Sequence, residues 1–99
     1  MMFIATNRLE LPVEQQQKMM IEAFRKSVPA LHQFEGFQSF EILVSEDRSH
    51  MLAISHWANR AAYDAYIKSD TFRKHHGGSS SEEMQPHANI TYYSGELLS

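Results

Sequence analysis

Short stretches of alternating apolar and polar side chains are separated by longer stretches with helical spacing, and this order of periods constrains the fold more than any single residue does. Residues 2–11 alternate, with Phe3, Ala5, Leu9 and Leu11 on one face and Thr6, Arg8 and Glu10 on the other, the period of a half-buried strand. Asn7 interrupts the apolar face with an amide. Pro12 suits a first helical turn, and residues 13–27 carry strong helix formers, with Met20, Phe24 and Val28 four apart along one stripe. Met19, Met20 and Phe24 are expected in the core. Pro29 should end or bend this helix, and residues 30–36 read as a short connecting turn that closes at Gly36.

Residues 37–44 alternate again, with Phe40, Ile42 and Val44 opposed to Ser39 and Glu41; after the polar turn 45–49, residues 51–57 return as the hairpin partner. Asn59 is a good N-cap for a helix over 60–68, where Ala62, Tyr63, Tyr66 and Ile67 make one face. Ser69 or Asp70 is expected to cap a further turn or two through His76, stopped by Gly77 and Gly78. Residues 79–87, small and polar, read as a mobile loop, and residues 89–98 as a last strand. Strand, helix, strand, strand, helix, strand is a ferredoxin-like split β-α-β unit, an α+β fold whose antiparallel sheet carries helices on one face. Two subunits packed through their open faces would bury them and form a dimeric α/β barrel, so a homodimer is expected.

Ninety-nine residues, 42% of them apolar, make a single domain over 1–99. The absence of cysteine excludes disulfides, iron–sulfur clusters, thiolate-ligated haem and Cys-based zinc sites, so any metal must be held by nitrogen or oxygen. A formal charge of -3 without a basic run argues against a nucleic-acid partner. No signal-like amino terminus or membrane-length apolar stretch is seen, which reads as a cytoplasmic protein with no membrane partner.

Residues 3–9, the middle Phe34-Glu35-Gly36-Phe37, the strand ending His56-Trp57 and the stretch 66–76 together resemble the IsdG-type haem-degrading members of the antibiotic-biosynthesis-monooxygenase superfamily. The resemblance spans nearly the whole chain. In haem-degrading members a strand-one Asn, a helix aromatic and a helix His make the site, which maps onto Asn7, Tyr66 and His76. Tyr66 stands where the family usually has Trp, and Trp57 aligns with a strand-end position outside that set. The resemblance implies haem as both cofactor and substrate, with no flavin or free metal ion, and with oxygen and an external electron donor required. The porphyrin would be opened and iron released, the loop 77–86 admitting and releasing ligand. Phe24 is implied as a pocket residue.

Each of these residues has an ordinary role beside the implied one. Asn7 either satisfies a local backbone group or, without titrating, steers an iron-bound oxygen. Tyr66 is either a core aromatic or a pocket residue beside the porphyrin. His76 is either a cation at a helix C-terminus or the ligand of haem iron. His75 is its adjacent rival, but consecutive helical side chains diverge by about 100° and only one can face the metal; His76, four residues after Phe72, is favoured. His32, His50, His56 and His87 have no ligand spacing. Two other functions are open to such a chain: a cofactor-free monooxygenase acting on a small aromatic quinol held by Asn7, Tyr66 and Trp57, and a non-catalytic dimeric-barrel module that binds a ligand.

Overall fold

The computed structural model describes residues 1–70 and 90–99. Along the chain run β1 (Met2–Leu9), α1 (Glu14–Ser27), a 3-10 helix (Val28–Gln33), β2 (Phe37–Val44), β3 (Met51–Trp57), α2 (Arg60–Ile67) and β4 (Ile90–Gly95). The strands form one antiparallel sheet in the order β2-β3-β1-β4. β1 is central, with Ala5 opposite Ser55 on one side and Tyr92 on the other.

Local chemistry accounts for most boundaries. Glu14 in the first turn of α1 and Arg25 and Lys26 in its last turn match the helix dipole. Pro29 does not break the chain away from α1; it sits at the start of a 3-10 helix, where its missing N–H costs nothing. Asn59 caps α2 as its sequence position predicts, its Oδ1 accepting from the Ala62 N–H at 2.9 Å. Gly36 has a φ of +93°, and a Cβ there would lie 2.6 Å from that of Ala62. Its carbonyl accepts from the Ala58 N–H at 2.7 Å, so the entry to β2 is clamped against the start of α2.

The covered face of the sheet carries Phe3, Ala5, Met51, Ala53, Ser55 and Trp57, all buried. Its centre is an aromatic cluster in which Phe3, Trp57 and Tyr63 are joined by Phe34, Phe37, Tyr66 and Ile67. The register slips between Phe37 and Ser39, so Phe37 faces Trp57 while Phe40 faces Ser55. Both phenylalanines therefore reach the helical side, which strict alternation forbids.

Two expectations are corrected. The sheet is not closed into a barrel: β2 and β4 are its two ends, and what the chain builds is an open, four-stranded, ferredoxin-like antiparallel sheet. Closure needs the end strands to meet at a common tilt, and small packed barrels use about eight strands; the described residues supply four. Met19 is 65% exposed, because it lies off the α1 stripe that touches the sheet; the fully buried member of that stripe is Gln17. Gln17 Nε2 donates to the carbonyls of Leu11 and Arg48, at 2.7 and 2.9 Å, tying the β1–α1 connection to the β2–β3 turn. That turn is held by Asp47, whose carboxylate accepts from the Ser49 N–H and from Ser45 Oγ; these bonds draw its pKa down to about 2. No helix among the described residues is long and apolar enough to cross a membrane.

Candidate functional site

Small side chains at the middle of the covered face leave a hollow. Ala5 of β1 and Ala53 and Ser55 of β3 form its floor, and Phe24, Leu31, Tyr63 and Tyr66 from the helical layer form its roof. The result is a mainly apolar cavity of about 70 Å³. Trp57 is wholly buried at its wall and stacks on Tyr66, with ring centroids 5.5 Å apart and planes at 28°. Its orientation is fixed by a hydrogen bond, Nε1 donating to Ser55 Oγ at 2.9 Å.

Asn7 also lines this cavity, and its Oδ1 is buried with no hydrogen-bond partner among the described residues. An acceptor in that state costs about 1–3 kcal/mol relative to one that is satisfied. Such an atom in an apolar hollow is a standing request for a donor. Asn7 reaches it because alternation along β1 places it on the same face as Phe3 and Ala5, opposite Ala53 of β3 and Ile90 of β4.

The two tyrosines are both neutral far above physiological pH. Burial pushes the Tyr66 phenol up to about 12. Burial also raises Tyr63, helped by its hydrogen bond to the Tyr92 hydroxyl. Beyond Tyr63, the Arg60 guanidinium lies over the rings of Phe3 and Tyr92, at 5.4 and 5.0 Å, and closes the outer flank of α2.

Of the residues picked from the sequence, Asn7, Tyr66 and Phe24 meet around this one cavity. His75 and His76, with the loop over 77–86, lie outside the described residues. Among the described residues no three His, Asp or Glu side chains are grouped as a metal site. Ser55, Tyr63 and Trp57 also line the hollow, so Trp57, placed by alignment outside the family's site set, lies beside Tyr66 within it. The signal lay in the odd-numbered positions of residues 51–57, which share one face of a strand but were not separated from their neighbours by the sequence reading.

An open ferredoxin-like sheet with a small apolar cavity under its helices, into which the Asn7 oxygen, unpartnered among the described residues, projects, makes this an α+β fold. The chain belongs to the antibiotic biosynthesis monooxygenase family, whose sequence profile matches residues 2–78. It is 32% identical to the "Heme oxygenase (staphylobilin-producing) 1" of Staphylococcus aureus strain Newman, over 93% of this chain and 92% of that one. Among solved structures it is similar to SnoaB, a cofactor-independent oxygenase from Streptomyces nogalater, with a TM-score of 0.72 at 14% identity over 98% of this chain and 95% of that one. It is also similar to Rv0793 from Mycobacterium tuberculosis, with a TM-score of 0.68 at 12% identity over 99% and 98%. At those identities the two structures speak for the fold alone.

Proposed function

We propose that this chain is an oxidoreductase of the haem-oxygenase kind, for which haem is the substrate, oxygen the oxidant and an external protein or small molecule the electron donor. The observation that carries the reading is the unpartnered Asn7 Oδ1 in an apolar cavity. The 32% identity to a named heme oxygenase supplies the substrate class. In this reading His76, rather than His75, would hold the iron, and the Asn7 amide would orient the reacting oxygen by donating from its NH2, without exchanging a proton at neutral pH. Tyr66, still protonated there, and Phe24 press on the ring. The porphyrin is opened and iron is released.

A homodimer is part of the proposal. Met2, Ile4, Leu52 and Ile54 of the open face are half-buried within one chain, and a second copy would cover them. Ile54→Asp should then shift the protein to monomer in sedimentation velocity while leaving its far-ultraviolet spectrum unchanged.

A second reading, a cofactor-free oxygenase on a small aromatic quinol, is favoured by one feature: a cavity of about 70 Å³ is far smaller than the roughly 300–1,000 Å³ of typical ligand sites. Haemin titration separates the two. The haem reading expects a Soret shift that saturates at one haem per chain, is lost in His76→Ala and persists in His75→Ala. Under air with ascorbate the band should bleach, and Asn7→Leu should bind haemin without bleaching it. No shift at micromolar haemin would give the site to the quinol.

A further inference from the structure

The cavity, partly open to its surroundings, has a neighbour. A groove of about 370 Å³ runs between the outer side of α1, the 3-10 helix and the edge strand β2, bordered by Ile21, Val28, Pro29, His32 and Ile42. Phe24 and Phe40 line both spaces. Their rings touch, with centroids 5.0 Å apart and planes at 31°, so this one pair forms a wall common to the groove and the inner cavity.

We propose that the groove is the outer half of the ligand site and that the Phe24–Phe40 pair is the door between the halves, moving aside to admit a planar aromatic ligand too large for the inner cavity alone. The inference rests on the small-ligand reading of the inner cavity, and it gives that reading the room it lacks. The inner space holds no more than a few water molecules, whereas the groove by itself falls within the range of small-molecule sites.

The pair is built to move. Both rings are half-buried, so neither is locked on every side by packing. Phe40 stands on an edge strand, immediately after the slip in register between Phe37 and Ser39, where one flank of the strand has no ladder to hold it. Phe24 lies in the last turn of α1, where the helix tightens into the 3-10 segment. By contrast, the floor on the opposite side is β1 paired with two strands and Trp57 fixed by Ser55. Among the walls built by the described residues, the one facing β2 is the least held.

Trp57, the only tryptophan in the chain, is wholly buried on the inner side and reports arrivals there without any need for haem. Acrylamide quenching of its fluorescence should rise roughly three- to tenfold in Phe40→Ala and in Phe24→Ala, because the quencher no longer waits for the rings to part. Ile90→Ala trims the same cavity at the β4 side and should leave quenching near wild type. In stopped flow, haemin association should be about tenfold faster in Phe40→Ala. Unchanged quenching in folded Phe40→Ala and Phe24→Ala, or an equal rise in Ile90→Ala, overturns the door. If Phe40→Ala loses its far-ultraviolet signature, Phe40→Leu carries the same test with a smaller expected rise. Quenching that follows the door while haemin binds to no variant would leave the door standing and remove haem as the ligand.

Discussion

The two faces of the sheet are built from the same four strands and serve opposite ends. On the covered face, small residues at Ala5, Ala53 and Ser55 alternate with aromatics, so the helices rest on Trp57, Phe3 and Phe40 and span a hollow. On the other face Ile4, Leu52, Ile54 and Tyr93 form a more even surface of larger side chains, crossed by a contact in which His56 Nε2 lies 3.1 Å from Glu41 Oε1. A hollow demands that packing be incomplete, and the interface proposed for the open face would demand that it be continuous. Residue size alone distinguishes the two faces of one pleated sheet.

The strongest test of that contrast is Trp57→Ala, which removes the wholly buried ring that supports the hollow's wall and should cost about 3–5 kcal/mol in urea unfolding. A cost below about 1 kcal/mol would mean the covered face is not the core that it resembles. Alkaline titration comes next. Folded Tyr66 keeps its proton to about 12, whereas an unfolded tyrosine loses it near 10.0. The tyrosine's contribution is therefore complete below pH 10 and is lost as pH climbs to 12, by up to about 2 kcal/mol. Tyr63 acts in the same direction, and Tyr66→Phe should flatten the alkaline fall in thermal stability.

Asn7→Leu sharpens the comparison from the other side. Removing an unsatisfied acceptor from an apolar hollow should raise stability by about 1 kcal/mol while abolishing oxygenation, the pattern of a residue kept for its chemistry. A loss of stability would show the amide to be structural. Asn59→Ala, which strips the cap from the helix roofing the hollow, should cost about 1 kcal/mol. The smallest effect belongs to the open face: Leu43→Ser, at a side chain already 44% exposed, should move the stability of one chain by no more than about 0.5 kcal/mol.

Much of this was legible from local pattern. The β2 and β3 boundaries agree with the alternation of residues 37–44 and with the hairpin partner expected over 51–57, and the tyrosine face of α2 packs as its spacing predicts. Asn7 stood out as an amide on an apolar face, and its oxygen is one of two buried amide oxygens left without a partner among the described residues. Periodicity reports which face a side chain takes, because that depends only on neighbouring backbone. It does not report how far a facing element stands away.

Amino-acid order alone thus determined the strands and helices β1, α1, β2, β3 and the start of α2, their sequence along the chain and the cap at Asn59, while the last strand, expected over 89–98, ends at Gly95, and the meeting of Asn7, Phe24 and Tyr66 was implied by the family resemblance. Tertiary structure decided the rest: that the sheet stays open, that a slip in register turns Phe37 inward beside Phe40, that Gln17 rather than Met19 is buried, and that Trp57 stacks on Tyr66. Each of those outcomes depends on contacts between residues distant in the chain. Their energies come from fitting one surface to another, which no short window of sequence contains.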